Sequence, residues 1–137
     1  KGKLIIMHNQ QSNIYDNIID DIKKSLMKSS EIAIKTGLDK QNIIIDPGLG
    51  FGKDVQQNLD LLKNLHEFVK LGYPLMIGPS RKSFIGAVLN SPIDDRIEGT
   101  AATISISIAK GADIVRVHDV VEISKAVQMT DAIIRGS

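Results

Sequence analysis

Cationic and hydrogen-bonding side chains follow the end of an apolar run at positions 80–82. These residues are Ser80, Arg81 and Lys82, and a helix is predicted to begin directly after them. Loops after parallel strands commonly bind ligands, and a helix N-terminus adds partial positive charge. The cluster therefore predicts an anion site, and the alternative interpretation is a solvated basic turn.

Arg116 and His118 form a second cluster at the end of another β-branched run. Residues two apart on a strand leave the same face of the sheet, so these two side chains are expected to lie together. An arginine is costly to bury without a partner, which favours contact with an anion or a carboxylate. The alternative is a structural ion pair with Asp113 or Asp119.

Asp46 ends an apolar run and opens a glycine-rich loop that runs to Lys53. A Walker A loop is excluded because the chain has Pro47 where that motif has glycine, and Asp54 where it has serine or threonine. The glycine spacing also excludes a Rossmann fingerprint. A buried carboxylate here could accept hydrogen bonds from a flat ligand with adjacent N–H donors, such as an aminopyrimidinone. The alternative is a mobile surface loop in which Asp46 only caps a turn.

Composition narrows the function classes. The chain has 137 residues, 42% of them hydrophobic, which predicts one domain. A net charge of +1 and 4% aromatic residues do not favour nucleic-acid binding. The absence of cysteine excludes disulfides and fits a cytoplasmic location, and no apolar run reaches membrane-spanning length, so a soluble protein is expected. Because the chain begins at Lys1, close to a strand-like run, we expect a piece of a longer protein.

Hydrophobic periodicity predicts four strand–helix units. Strands are predicted at 3–8, 42–46, 73–78 and 114–118, and helices at 13–35, from 58 to about 71, 83–89, 97–110 and 121–134. Such alternation implies a parallel sheet with right-handed crossovers. Periodicity does not separate a small open doubly wound sheet from half of a (β/α)8 barrel, and length slightly favours the open sheet.

Four long stretches resemble, in order, the motifs of dihydropteroate synthases, the folate-pathway enzymes that sulfonamides inhibit. They are Ile-Asp-Pro-Gly-Leu-Gly-Phe-Gly-Lys at 45–53, Gly-Tyr-Pro-Leu-Met-Ile-Gly-Pro-Ser-Arg-Lys-Ser-Phe-Ile-Gly at 72–86, Glu-Gly-Thr-Ala-Ala at 98–102 and Ala-Asp-Ile-Val-Arg-Val-His-Asp-Val at 112–120. The resemblance covers nearly the whole chain. It implies a single pterin-binding domain over 1–137 that forms strands five to eight, the second half, of a (β/α)8 barrel.

The resemblance implies a transferase that joins 6-hydroxymethyl-7,8-dihydropterin diphosphate to p-aminobenzoate. Asp46 would bind the pterin ring, and Lys82 would contact both the pterin and the p-aminobenzoate. Ser80 would line the p-aminobenzoate pocket, with Phe51 and Lys53 in the loop nearby.

The diphosphate side of the site is implied in the same way. Arg116 would lie against the pterin and reach the diphosphate, and His118 would bind the diphosphate. With Lys82 these two are the expected catalytic residues, and Arg81 is expected among the substrate-binding residues.

The resemblance also implies Mg²⁺, held mainly by residues of an N-terminal half that this chain does not contain, and a homo-oligomer. We therefore expect these residues alone to be weakly active or inactive. Two alternatives remain open: a corrinoid-dependent methyltransferase with the same pterin site, and a non-catalytic pterin-binding half-barrel. The first is disfavoured because a methyl donor brings no diphosphate for Arg116 and His118 to neutralise.

Overall fold

The computed structural model describes residues 2–136. Strands and helices alternate along the chain, as predicted. The strands are β1 (Leu4–Met7), β2 (Ile43–Asp46), β3 (Met76–Ile77) and β4 (Ile114–Val115). The helices are α1 (Ile18–Lys35), α2 (Val55–Lys63), α3 (His66–Val69), α4 (Ser83–Leu89), α5 (Ile97–Ala109) and α6 (Val120–Arg135). Within the described range, none of these helices has both the length and the apolar character that a membrane span requires.

The four strands lie side by side in chain order, and every pairing is parallel. β1 pairs with β2, and β3 pairs with β4. The amide of Ile45 donates to the carbonyl of Pro74 at 2.9 Å, which joins the two pairs. A doubly wound sheet reverses its strand order at a switch point, whereas a (β/α)8 barrel does not. The observed order is that of a barrel, so the slight preference for an open sheet is wrong.

The core fills the space between the strands and the helices. Ile43, Ile45 and Ile77 are fully buried on the helix-facing side of the sheet. They pack in one cluster with residues of the first helices, among them Ile22, Leu26, Leu61, Leu65, Phe68 and Phe84. A second cluster joins Ile104 and Ile108 of α5 to Ile123 of α6 and to valines at the end of β4. Each such side chain stabilises the fold by roughly 1.5–3 kcal/mol, so this layer holds the strands in register.

The opposite face of the strands carries the alternate side chains. Asp46 and Arg116 lie on this face because Ile45 and Val115, their neighbours in sequence, pack toward the helices. Within residues 2–136, β1 and β4 are each paired on one side only. Leu4 and Ile5 on β1 are 42% and 48% exposed. A closed barrel would cover this face and both edges.

Two predicted helix boundaries are wrong because local capping was missed. The helix predicted from residue 13 begins at Ile18, where Asn17 Oδ1 accepts a hydrogen bond from the amide of Asp20. The helix predicted from residue 58 begins at Val55, because Asp54 and Gln57 form a capping box. That helix also ends at residue 63 and resumes as α3, because the Asn64 side chain donates to a backbone carbonyl of the preceding turn.

Two predicted strands are longer than the observed ones. The strand predicted at 73–78 is regular only at Met76–Ile77, since Pro74 has no amide to donate to a neighbouring strand. The strand predicted at 114–118 ends at Val115. The amide of Arg116 still donates to the carbonyl of Ile77 at 3.0 Å, but the chain then turns away into a loop. Gly78, Arg116 and His118, which lie just past the observed ends of these strands, line the candidate site.

Candidate active site

The predicted site residues come from three loops that meet at the carboxyl ends of the strands. These loops follow β2, β3 and β4 and span residues 47–54, 78–82 and 116–119. A cavity of about 320 Å³ opens between the last two loops, lined by Gly78, Ser80, Lys82, Arg116, Val117 and His118. Four of these residues were predicted as site residues, so the fold brings the two basic clusters together.

Asp46 is the buried acid of the site, with a side chain that is almost fully enclosed. Its Oδ1 accepts a hydrogen bond from the amide of Gly48 at 2.8 Å. Burial raises the pKa of Asp46 above its ordinary value, while the Gly48 amide and the charges of Arg116, Lys82 and Lys53 act to lower the pKa. Within residues 2–136, Oδ2 accepts no hydrogen bond, which leaves an acceptor for a ligand.

The glycine-rich loop after β2 is tightly packed, which contradicts its interpretation as a mobile surface loop. Gly48 has φ +77°, and a side-chain carbon there would lie 2.0 Å from the carbonyl oxygen of His8. Gly50 has φ +86°, and its amide donates to Oδ1 of the buried Asn58 at 2.7 Å. Residues with a β-carbon would therefore be strained or would clash at these two positions.

Lys53 fastens this loop from inside. Its Nζ donates to the carbonyls of Gly48 and Phe51 at 2.8 Å and 2.7 Å, and lies 3.1 Å from Nδ1 of His8. Burial lowers the pKa of Lys53 to about 8, with a smaller contribution from the charge of Lys82. The ammonium is thus occupied within the protein, and the predicted contact of Lys53 with substrate stays a prediction.

Lys82 and Phe51 form a cation–aromatic pair beside the cavity. Lys82 Nζ lies 4.3 Å from the centre of the Phe51 ring and donates to the carbonyl of Leu49 at 2.6 Å. Burial lowers the pKa of Lys82, as does the nearby charge of Arg116, while Asp46 raises that pKa. The Phe51 ring is 36% exposed, so one part of it is free to contact a flat ligand.

Ser80 and His118 are held together across the two loops. The buried Ser80 Oγ accepts a hydrogen bond from the amide of His118 at 3.1 Å and lies 2.9 Å from its Nδ1. Because the amide already uses an acceptor position of Oγ, the hydroxyl proton can be donated to Nδ1 of a neutral imidazole. In that tautomer the other ring nitrogen, Nε2, carries a proton that it can donate to an anion.

Arg81 points at the loop after β4 instead of into the cavity. Its Nε and Nη2 donate to the two carboxylate oxygens of Asp119 at 3.1 Å and 2.6 Å. This ion pair raises the pKa of Arg81 and lowers the pKa of Asp119. The predicted contact of Arg81 with substrate stays a prediction, because its guanidinium already has a partner.

Arg116 is exposed at the cavity, with its guanidinium against Gly78, where a side-chain carbon would lie 3.4 Å away. The ion pair predicted as an alternative is wrong. Asp119 binds Arg81, and Asp113 accepts a hydrogen bond from the amide of Leu75 at 2.9 Å. Among residues 2–136 no carboxylate lies within ion-pair distance of Arg116, so this charge is available to a ligand anion.

Residues 1–118 match the family described as "Pterin binding enzyme". The chain belongs to the pterin-binding enzyme family. This membership accounts for the four motifs that carry the resemblance. The first three lie inside the matched residues, and the fourth, at 112–120, extends two residues beyond them.

Dihydropteroate synthases are among the curated relatives of this chain. A dihydropteroate synthase of Clostridium beijerinckii is 50% identical over 131 residues, which cover 95% of this chain and 49% of that relative. A dihydropteroate synthase of Bacillus subtilis is 45% identical, with 96% of this chain and 46% of the relative covered. The chain therefore spans about half the length of the curated relatives it matches.

Solved structures of pterin-binding proteins superpose closely on the chain. A dihydropteroate synthase from Clostridium difficile, solved in the presence of pteroic acid, has a TM-score of 0.95 at 49% identity. The match covers 97% of this chain and 51% of that one. The Yersinia pestis enzyme with a sulfonamide drug complex also gives 0.95, at 34% identity, with 98% and 52% covered. The predicted α/β fold, half of a (β/α)8 barrel, is confirmed.

Sequence reasoning missed residues that pack behind this candidate site and support it. His8 contacts Lys53, and the hydroxyl of Tyr15 donates to the carbonyl of Gly52 at 2.7 Å. Burial, with the charge of Lys53, lowers the pKa of His8. His8 directly follows β1, so its place at a strand end could have marked it. Tyr15 lies in a loop and gave no comparable signal.

Proposed function

We propose that this chain forms part of a dihydropteroate synthase of folate biosynthesis, which joins 6-hydroxymethyl-7,8-dihydropterin diphosphate to p-aminobenzoate. The observation that carries the proposal is the convergence of Lys82, Arg116 and His118 on one cavity beside the buried Asp46. A pterin diphosphate has both a flat ring with N–H donors and a strongly anionic tail. The names of the relatives at 50% and 45% identity support the same reaction.

The pterin ring would be held by Asp46. Its Oδ2 can accept from the adjacent N–H groups of the aminopyrimidinone ring, while Oδ1 stays bound to the amide of Gly48. Arg116 supplies positive charge at the same face of the sheet, close enough to act on the pKa of Asp46. Ring and tail would therefore be recognised by neighbouring strand ends.

Arg116 and His118 would promote departure of diphosphate. The amine nitrogen of p-aminobenzoate attacks the pterin methylene carbon, and a C–N bond forms as the C–O bond to diphosphate breaks. The electron pair of the broken bond leaves on the diphosphate oxygen, and the amine releases one proton. Donors already aimed at that oxygen stabilise the transition state more than the ground state. Both side chains are exposed at the cavity and need not move to meet the anion.

The p-aminobenzoate would bind against the other side of the cavity. Phe51 offers part of its ring, Lys82 lies on that ring, and Ser80 borders the same space. A benzene ring can stack there while the lysine remains near the pterin. The Yersinia pestis structure contains a sulfonamide drug complex, and we extend sulfonamide binding to this site as part of the proposal. We also keep Lys53 as a candidate contact, although its ammonium has protein partners.

Magnesium does not fit the residues that this chain supplies. Across positions 2–136 there is no group of three or more His, Cys, Asp or Glu side chains that could hold a metal ion. We assign any Mg²⁺ of the complete enzyme to residues outside this chain, and no step above depends on it. A cytoplasmic location and a homo-oligomer, both expected from the sequence and the resemblance, belong to the proposal as well.

A non-catalytic pterin-binding half-barrel is the second candidate, favoured by the exposed apolar edge at Leu4 and Ile5. Both candidates would bind the pterin, but only the first would form dihydropteroate. We expect the 137-residue chain to bind 6-hydroxymethyl-7,8-dihydropterin diphosphate in a calorimetric titration. Arg116→Ala should weaken binding of the diphosphate but not of the unphosphorylated pterin. A chain that binds neither compound, while its circular dichroism shows a folded α/β protein, would contradict both candidates.

A further inference from the structure

Arg81 and Asp119 form a two-point ion pair between the loops after β3 and β4. Both oxygens of the carboxylate are used, by Nε at 3.1 Å and by Nη2 at 2.6 Å. This fork geometry fixes the orientation of both groups, which a single contact does not. The two side chains are 41% and 20% exposed, so the pair is partly shielded from water but not buried.

The backbone of Arg81 is held in an uncommon conformation. Its φ is +57°, which few residues other than glycine adopt. Its amide donates to Thr100 Oγ1 at 3.2 Å, and its carbonyl accepts from Arg96 Nη1 at 2.9 Å. Both partners come from the start of α5, at its N-cap and in its first turn. The surrounding structure therefore fixes the direction in which the Arg81 side chain leaves the loop.

Asp119 gives up its usual local role to make this pair. It occupies the N-cap position of α6, where an aspartate normally accepts a hydrogen bond from an amide of the first turn. Its side chain makes no such bond here. The carboxylate is instead committed to Arg81, 38 residues away in the chain. A merely helix-capping aspartate would not be oriented in this way.

The pair continues a contact made by the preceding residues. Ser80 binds the amide and the ring of His118, and Arg81 binds Asp119, so two consecutive residues of one loop hold two consecutive residues of the other. A rotation of the loop after β4 would break both contacts together. The position of His118 at the cavity thus depends in part on the ion pair between Arg81 and Asp119, to which His118 contributes no atom.

We propose that Arg81 is a positioning residue, whose ion pair with Asp119 holds His118 at the cavity, and that its guanidinium does not contact the substrate. The inference rests on the proposed function, in which His118 meets the diphosphate. The resemblance implied that Arg81 contacts the substrate. We propose instead that Arg81 keeps the site in shape.

A double-mutant cycle tests this assignment. Inorganic diphosphate is titrated into the 137-residue chain and into Arg81→Met, Asp119→Asn and the double variant. Methionine keeps the stem of arginine without its charge, and asparagine keeps the shape of aspartate. We expect each single variant to weaken diphosphate binding by about tenfold, and the double variant to be no weaker than either single one.

Arg135→Met is the matched control, because Arg135 pairs with Asp131 on the surface of α6, away from the cavity. It should leave diphosphate binding unchanged. Arg81→Lys, which keeps the charge but not the fork, should recover part of the affinity lost in Arg81→Met. Losses that add in the double variant, or a loss in Arg81→Met with none in Asp119→Asn, would show that Arg81 itself contacts the anion.

A ligand-free measurement keeps the inference separate from the proposed function. The imidazole signals of His118 in NMR spectra should shift in Arg81→Met and in Asp119→Asn, but not in Arg135→Met. If the unmodified chain fails to bind diphosphate, the proposed function is at fault, and these signals still decide the positioning role. His118 signals that are the same in all variants would overturn it.

Discussion

Three cations of the site act on one buried carboxylate. Lys53, Lys82 and Arg116 all lower the pKa of Asp46, yet burial outweighs them and leaves that pKa raised. The two lysines in turn have lowered pKa values because burial disfavours their charged forms. A site of this kind is held under electrostatic strain by the fold, and a ligand with N–H donors and an anionic tail would relieve it.

Asp46→Asn should separate stability from binding. Because burial raises the pKa of Asp46 above its ordinary value of 3.8, the carboxylate costs the folded state more than the unfolded state at neutral pH. The variant should therefore unfold in denaturant with an unchanged or higher free energy at pH 7. Pterin binding should weaken by about ten- to hundredfold, since an amide offers one acceptor where a carboxylate offers two.

The exposed Asp94 supplies the control for this variant. Asp94→Asn removes the same charge from a surface loop and should alter neither stability nor binding measurably. A strongly destabilised Asp46→Asn, with Asp94→Asn unaffected, would mean that the carboxylate stabilises the fold and that its charge is structural.

Lys53→Met should change how stability depends on pH. The pKa of Lys53 is about 8 in the folded chain, below its ordinary value of 10.5. Below pH 8 both states carry the charge, and the folded state bears the cost of burying it. As pH rises from about 8 to 10.5, the folded chain loses the proton first and that cost is relieved. The unmodified protein should thus gain stability relative to Lys53→Met, by on the order of 1 kcal/mol after solvent screening.

Denaturant unfolding at several pH values between 7 and 10.5 measures this difference. Lys125→Met, on the exposed side of α6, is the control and should show no such trend. A constant difference between Lys53→Met and the unmodified protein across the range would contradict the lowered pKa of Lys53.

At the scale of elements, capping and loop packing place the site. Asp54 ends the glycine-rich loop and starts α2, with its Oδ1 accepting from the amide of Gln57 at 2.8 Å. The amide of Asp54 in turn donates to Oε1 of Gln57 at 2.9 Å. This box fixes where the loop stops, and so fixes how Phe51 and Lys53 reach the cavity region.

Asp54→Ala should lower the free energy of unfolding by about 1 kcal/mol, the usual value of an N-cap hydrogen bond. For a chain of this size, that corresponds to a melting temperature lower by roughly 3–5 °C. Asp94→Ala, which removes a carboxylate from an exposed loop, should melt within about 1 °C of the unmodified protein. Equal melting temperatures for Asp54→Ala and Asp94→Ala would show that the box contributes nothing.

The alternation of strands and helices could be predicted because apolar periodicity is local. Strand ends could also be recognised, which is why Asp46, Arg116 and His118 were predicted as candidate site residues. The contacts between loops could not be predicted in this way. Lys53 meets His8 across 45 positions of sequence, and Arg81 meets Asp119 across 38. Residue spacing holds no information about such pairs, so the ion pair of Arg81 with Asp119 was not predicted.

At the scale of the whole molecule, the four strands form half of a barrel. Both outer strands are paired on one side only within the described residues, and apolar side chains such as Ile5 are exposed there. The curated relatives are about twice as long as the part that matches. The strand order, in which each strand lies parallel to its neighbour along the chain, distinguishes the barrel from an open sheet. The sequence could not reveal this order, because the two sheet types have the same local pattern.

The contributions of Arg116 and Lys82 to turnover should be measurable only when the barrel is complete. We expect residues 1–137, joined in one chain to the N-terminal half of the Clostridium beijerinckii relative, to form a closed barrel, since the two proteins are 50% identical in the matched half. In that barrel Arg116→Ala and Lys82→Ala should each raise the activation barrier by about 3 kcal/mol, which slows turnover roughly hundredfold, with the fold retained. Arg135→Ala, on the surface of α6, is the control.

Dihydropteroate formation by this completed barrel is the most direct test of the central claim, that the residues gathered at these strand ends perform the synthase reaction. We expect dihydropteroate and free diphosphate in equal amounts from the joined chain, and a roughly hundredfold slower rate with Arg116→Ala. A folded joined chain that binds the pterin diphosphate and p-aminobenzoate but forms no product, or an Arg116→Ala variant with an unchanged rate, would contradict it.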